Sequence, residues 1–527
     1  MIAGLFPLPV TIACKWRGKE KFMKHFWAFL LPVCLLLSAV LPVGAAEPAG
    51  ENLNPREYGL HVEDGVITLE GKPFYGFGVN YFGAFTHYED GGLPDPQTFK
   101  DGLAGLAAHN IPFVRIALGY YPSFYARYDA DPAGTLAKLR EVLDAAEAQH
   151  VGVILSLFWH DAALPEHVGE KRADMGEAES KTVAYAVEFT TAVVREFAGH
   201  RALWGWEIGN EYNLDADLCD RNLQGFLPGG FTFDNPTGRD YFTSDEAADF
   251  FEAVASTIRK YDGYRIITNG CSEMRTAAWH MHKATMRLRP DHLWDINWTQ
   301  DSRADFEKAI ALYTPDSVDT VSFHFQSGSS GAETPSYILS YPVFAGEDPL
   351  TVPGFLESYV QAAKAAGKAL YLGEFGDFRD MESAEDCPEA FRTLCGQISD
   401  AGIQIASLWQ FQDYNDSGVG GQKLDILAEL NATLKAEGKL YTDVAWGLAE
   451  DPGPDDTTDG TLASDASDAS DASNADDGST APEGTAQSTE TTANAVHQGG
   501  CTSSLGSIPL LAAGILTPFL FRKRRKT

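Results

Sequence analysis

Eight short apolar runs recur along the chain, separated by stretches in which apolar positions return every three or four residues. The runs fall at residues 74–81, 112–118, 151–158, 203–209, 265–269, 320–324, 369–373 and 404–409. A near-continuous apolar run of this length is what a parallel strand buried on both faces requires. Between them, stretches such as 132–150, 181–198, 245–261, 354–366 and 388–401 carry the helical period. Eight strands alternating with helices predict an α/β fold, and eight is the number that closes a (β/α)8 TIM barrel. A doubly wound open sheet is the alternative, but its usual Gly-rich first turn is not evident. Ahead of the first run, residues 60–73 alternate apolar and polar positions around Asp64-Gly65, which predicts an N-terminal β-hairpin able to plug the bottom of the barrel. Long insertions at 213–244 and 326–353 would lie on the C-terminal, loop-bearing face, either walling a groove or serving as surface filler.

The pattern changes at both ends. Residues 1–46 join a basic start (Lys15, Arg17, Lys19, Lys21, Lys24) to a mostly apolar stretch and the small residues Gly44-Ala45-Ala46. This predicts a signal peptide, with a retained N-terminal anchor as the alternative and Met23 as a tidier start. The catalytic domain is expected over 47–450. Residues 451–500 are acidic, rich in Ser, Thr and Asp, contain no Lys or Arg, and carry a Ser-Asp-Ala repeat from Ser464. Too little apolar surface is present there to offset the entropy of ordering, so a disordered linker is expected. Residues 501–527 hold Cys501, an apolar run at 505–521 and a basic end. The run is at the short limit of a membrane span. The arrangement resembles bacterial C-terminal sorting tails, which implies contact with a membrane or a sorting protease; a plain tail anchor is the alternative.

Length suits one barrel with appendages, and a net charge of −34 argues against nucleic acid as a partner. Cys219 and Cys271 follow the fourth and fifth runs, so a disulfide between neighbouring loops is one reading in an oxidising compartment. Free buried thiols at these two and at Cys387 and Cys395 are the other. The last two, on one helix, would stand about 12 Å apart, beyond bonding reach.

Two runs end in acids. The fourth stops at Asn210-Glu211 and the seventh at Glu374, where catalytic groups sit in a barrel of this kind. Singly, each could be a loop carboxylate in an ion pair. Together they fit retaining glycoside cleavage, which needs two carboxyl groups about 5–5.5 Å apart, one nucleophile and one acid/base. Trp159, Trp294 and Trp298 fall in loops and are candidate sugar platforms, whereas Trp204 and Trp206 suit the core. His280 and His282 have no third ligand at a telling spacing and read as surface histidines; the chemistry needs no metal and no cofactor.

These positions resemble glycoside hydrolase family 5, the cellulase and β-mannanase family of retaining (β/α)8 hydrolases, over roughly residues 60–446. The resemblance implies Glu211 as acid/base and Glu374 as nucleophile. It also implies that Arg115, His160, Asn210, His324 and Trp409 hold the substrate and the nucleophile. Two departures stand out: Gln326 replaces the family's usual Tyr, and Tyr212 replaces the Pro after Asn-Glu. The expectation is therefore an exported, monomeric, retaining hydrolase of a β-glucan or β-mannan, at the cell surface, in the periplasm or outside the cell. An exo-acting β-glycosidase, or a non-catalytic carbohydrate-binding protein on a degenerate barrel, are the alternatives.

Overall fold

Leu60–Glu63 (β1) and Val66–Leu69 (β2) pair antiparallel across Asp64-Gly65, whose φ values of 51° and 78° make the tight turn that Asp-Gly favours. A second such turn at Glu70-Gly71 adds a third strand, Lys72–Pro73 (β3), beyond the expected hairpin. The computed structural model describes residues 51–218, 238–286, 292, 294–327, 344–377, 387–411 and 419–448.

Eight parallel strands follow: Gly76–Asn80 (β4), Phe113–Ala117 (β5), Gly152–Phe158 (β6), Leu203–Gly209 (β7), Ile266–Thr268 (β8), Thr320–Ser327 (β9), Ala369–Asp377 (β10) and Ile405–Leu408 (β11). Each pairs with its successor and β11 closes on β4, so the sheet is a barrel and the open-sheet alternative falls. Every residue of β6 and of β7 is buried, because these strands face a packed interior on one side and helices on the other. The helices Pro132–Ala148, Lys181–Phe197, Ser244–Arg259, Val352–Ala365 and Cys387–Asp400 occupy the stretches with helical period. Their starts have side-chain caps where these are described: Asp131, Ser180 and Thr351 each accept a backbone N–H, and Thr243 with Glu246 forms a reciprocal capping box.

The N-terminal sheet seals the end of the barrel away from the acids. The Gln404 side chain, just before β11, accepts from the Ile67 backbone N–H and donates to the Ile67 carbonyl. Fully buried Arg265 donates to the carbonyls of Leu203, Ala198 and His200 and pairs with Asp262, to which Trp206 Nε1 also donates. Trp204 and Trp206 are buried here, as core residues.

Several expectations fall on undescribed residues: the segments 1–46 and 451–527, Cys219, and most of both insertions. Among the described residues no helix is long and apolar enough to cross a membrane. Cys271 and Cys395 are free and buried among the described residues, and the Cys219 partner of the first falls outside them.

Candidate active site

The register of the barrel brings the acids together. Asn80 lies opposite Arg115 across β4 and β5, and His324 opposite Glu374 across β9 and β10. Arg115 is wholly buried, and a lone guanidinium could not remain there unpaired. It is met on every side. Its Nε donates to both oxygens of Glu207 (2.8 and 3.0 Å), and its Nη1 to Glu374 Oε1 (2.7 Å) and Asn80 Oδ1 (2.9 Å). Its Nη2 reaches Asn210 Oδ1 at 2.7 Å and Glu207 Oε1 at 2.7 Å. The guanidinium also lies over the Trp159 ring, 4.4 Å from its centroid. Asn80 in turn donates to the Gly373 carbonyl at 2.9 Å, tying β4 to the strand that carries Glu374.

Glu211 and Glu374 face each other with His324 between them. The His324 Nδ1 is 2.8 Å from Glu211 Oε1 and 3.7 Å from Glu374 Oε2. One oxygen of each acid and one nitrogen of the histidine lie within 4.8 Å of one another. That spacing could by itself admit a cation. However, Arg115 already neutralises Glu374, and the His324 Nδ1 that faces both acids, when it donates to Glu211, has its lone pair withheld from a metal there.

The charges of His324, Glu211 and Glu374 act on one another. Burial pulls His324 down, but the Glu374 and Glu211 carboxylates outweigh it and hold the imidazole above its ordinary pKa. Burial would push Glu211 up, yet the hydrogen bond and charge of His324, with Ser272 and Arg115, leave it below the usual carboxylate range. At Glu374 burial wins over His324 and Arg115, and the carboxyl sits above that range. Burial drives His160 down to about 4, so that ring is neutral at physiological pH.

Glu211 is placed by its backbone as much as by its strand. Its φ of 58° is a left-handed conformation that costs a side-chain-bearing residue about 1–2 kcal/mol. The Glu211 N–H donates to the Gly270 carbonyl at 2.8 Å, which fixes that turn to the loop after β8. Gly270 has φ 73°, and a Cβ there would stand 1.9 Å from the Gly209 carbonyl oxygen. Only glycine lets the two strand ends approach this closely. Asn213 locks the same junction: its Oδ1 accepts from the Ser272 N–H, and its Nδ2 donates to the carbonyls of Ser272 and Glu273. Ser272 Oγ donates to Glu273 Oε2 at 2.6 Å.

An aromatic wall lines one side. Trp409 stacks on Trp159 (6.2 Å between centroids), Phe82 meets both rings, and Tyr120 lies 4.7 Å from His160.

The predicted residues Arg115, Asn210 and Glu374 are hydrogen-bonded together, His324 and Glu211 form a second hydrogen-bonded pair that meets them across the 3.7 Å His324–Glu374 ion pair, and His160 and Trp409 join through the aromatic wall. Gln326 continues β9 opposite Gly376, but its side chain is outside the described residues. The sequence reading missed Asn80, Glu207, Ser272, Glu273 and Phe82. Glu207 had a visible signal, an acid inside a strand otherwise apolar, since such a charge survives burial only when paired. Two assignments are corrected. Trp294 is no open platform: it packs against Tyr241 and donates its indole N–H to the Asp217 carbonyl. His282 is buried against Ser244 and His280 is bonded to Asp301, because both sit on a helix that packs inward.

A family model described as Cellulase (glycosyl hydrolase family 5) matches residues 69–413, about two thirds of the chain. Among solved structures, the chain is similar to an endo-1,4-beta-mannanase from Rhizomucor miehei, at 16% identity over 71% of this chain and 99% of that one, TM-score 0.47. It is also similar to the exo-beta-1,4-mannosidase Op5Man5 from Opitutaceae bacterium strain TAV5, at 16% identity over 72% and 63%, TM-score 0.48. An endo-1,4-beta-mannanase from Eisenia fetida matches at 16% identity over 74% and 99%, TM-score 0.45. Likenesses this distant carry no argument about substrate. No curated protein matches the chain.

Proposed function

The chain belongs to glycosyl hydrolase family 5 and is a glycoside hydrolase, and from that premise we propose that it cleaves a β-linked polysaccharide, a glucan or a mannan, with retention of configuration. The observation that carries this reading is the separation of Glu211 and Glu374. One oxygen of each acid lies within 4.8 Å of the other, which supports the close pairing of a retaining enzyme over the wider pair, about 6.5–9.5 Å apart, of an inverting one.

In the first step Glu374 attacks the anomeric carbon while Glu211 protonates the departing oxygen. The C–O bond to the leaving sugar breaks, an ester to Glu374 forms, and the leaving sugar carries away the proton of Glu211. In the second step Glu211 takes a proton from water, whose oxygen displaces Glu374 and restores the β configuration. Arg115 supports the ionised nucleophile at 2.7 Å. With its carbonyl fixed on Arg115, Asn210 keeps its N–H donors for the sugar 2-hydroxyl, a bond that strengthens in the transition state. Trp409 and Phe82 offer flat apolar surface to a sugar ring. The neighbours of Glu211 lower its carboxyl and burial raises that of Glu374, so in the reaction substrate binding has to bring a proton onto Glu211 while Arg115 keeps Glu374 charged.

The test is reducing-sugar release by the full chain from β-glucans, mannans and xylans, with Glu374→Ala alongside. Release by the parent alone supports the reading and identifies the substrate class. Silence on every polysaccharide, with binding to one, would favour the carbohydrate-binding alternative. The N-terminal sequence supports a site of action outside the cytoplasm, and fractionation of cells expressing the full chain would check it.

A further inference from the structure

Two carboxylates share one guanidinium at the centre of the site, and they share it unequally. Glu207 takes the edge of Arg115: Nε lies 2.8 and 3.0 Å from its two oxygens, and Nη2 lies 2.7 Å from its Oε1. Glu374 holds only Nη1, at 2.7 Å, and shares that nitrogen with Asn80 Oδ1 at 2.9 Å. Exposure divides the two acids as well. The Glu207 side chain is 0% exposed, so no sugar can reach it, whereas that of Glu374 is 10% exposed.

The reaction removes one of these two charges. As Glu374 attacks, one of its oxygens bonds to the anomeric carbon while the bond from that carbon to the leaving sugar breaks. The electron pair of the broken bond goes with the departing oxygen, which takes the proton of Glu211. Glu374 is then a neutral ester, while an arginine side chain stays protonated throughout. With Glu374 as its single counter-charge, Arg115 would become an unpaired cation in the protein interior, the state that burial penalises most.

We propose that Glu207 is the standing counter-charge of Arg115, a positioning residue that keeps the guanidinium paired and in place while Glu374 is esterified. The proposal rests on the hydrolase reading above and adds one residue to it. Glu207 sits inside β7, opposite Ser156 of β6 and Thr268 of β8, so its backbone is fixed on both sides. Asn210, three residues further on, accepts from the same Nη2 at 2.7 Å, so the aim of the guanidinium also sets the group offered to the sugar 2-hydroxyl. Glu207 in addition weakens the pull of Arg115 on the nucleophile, because a guanidinium already paired with one carboxylate attracts a second less than a bare one does. Glu374 is thereby freer to attack, and by the same measure a poorer leaving group in the second step. Removing the Glu207 charge therefore acts on the two steps in opposite senses: the ester forms more slowly and is hydrolysed no more slowly.

The experiment compares the full-length parent with Glu207→Gln and Glu207→Asp on 2,4-dinitrophenyl β-cellobioside or β-mannobioside, according to the polysaccharide the parent degrades. Ester formation is read from dinitrophenol release in a single turnover with enzyme in excess. Ester hydrolysis is read from the return of activity after trapping with the matching 2-deoxy-2-fluoro glycosyl fluoride. Glu207→Gln should form the ester about tenfold more slowly or worse, and hydrolyse it at least as fast as the parent. Glu207→Asp returns the charge and should bring the ratio of the two rates back toward the parent's. Equal slowing of both steps, parental rates for both, or an Asp variant with the ratio of the Gln variant would overturn the proposal and leave the hydrolase standing. A second measurement decides if Glu207→Gln does not fold. Glu374→Gln removes the same charge that esterification removes, and with Glu207 in place it should lower the urea midpoint by less than half as much as Arg115→Met. A fall of half or more would overturn the proposal. A parent inert on every polysaccharide and on both glycosides would overturn the hydrolase reading itself.

Discussion

Replacing Gly270 by Ala tests how the acid at 211 is held. The new Cβ would stand 1.9 Å from the Gly209 carbonyl oxygen, whereas real Cβ contacts begin near 3.0 Å. One backbone must yield by about 1.1 Å, and that oxygen belongs to the residue preceding Asn210-Glu211. Two costs add. Holding φ at 73° with a side chain costs about 1–2 kcal/mol. Forcing packed atoms apart costs about 1–3 kcal/mol more. The expected loss is therefore about 2–5 kcal/mol, read from the urea midpoint at unchanged slope. A displacement of this size in catalytic geometry also lowers kcat by about 100-fold. Gly367→Ala is the control. Its φ is 66°, but no atom lies within 4 Å of the added Cβ, so it should show only the conformational cost and parental kcat. A Gly270→Ala enzyme with the parent's midpoint and a kcat within about twofold would refute the account of how β8 positions Glu211.

Two further outcomes follow from the buried charges. Arg115→Met strands the carboxylates of Glu207 and Glu374 and should cost about 3–5 kcal/mol in urea unfolding; adding Glu207→Gln should return part of that by removing one stranded charge. Asp217, buried beneath Ser244, has its carboxyl pushed by burial up to about 7. The folded protein then binds more protons than the unfolded chain, so this stability is full below pH 4 and is lost as pH rises toward 7, by about 1.4 kcal/mol per unit. Asp217→Asn should remove that slope, and parallel stability profiles for parent and variant would contradict it.

The barrel was legible because its strands are buried on both faces and so write themselves as apolar runs. β7 coincides with its run, while β9 and β10 run past His324 and Glu374 to Ser327 and Asp377. Polar residues at those ends obscured the extension, and a register shift between Leu372 and Glu374 adds an irregularity that no periodicity reports. The two candidate acids, Glu211 and Glu374, were visible as interruptions of apolar runs. Their support was less so. Asn80 and Glu207 act through a guanidinium 35 and 92 residues away in sequence, a partnership fixed only when the barrel closes. Ser272 and Glu273 are two ordinary polar residues in a loop, and only the close approach permitted by Gly270 sets them beside Glu211. Trp294 misled because a tryptophan in a long loop reads as exposed, whereas this one covers its apolar face with Tyr241.

The central claim is that Glu374 and Glu211 act by double displacement, and its most direct test is the anomeric form of the first product. Proton NMR of the full-length enzyme on its polysaccharide, recorded before mutarotation, should show the β-anomer accumulating first and the α-anomer appearing only at the rate of mutarotation. An α-anomer formed first would mean direct attack by water, and would contradict the assignment of Glu374 as the nucleophile.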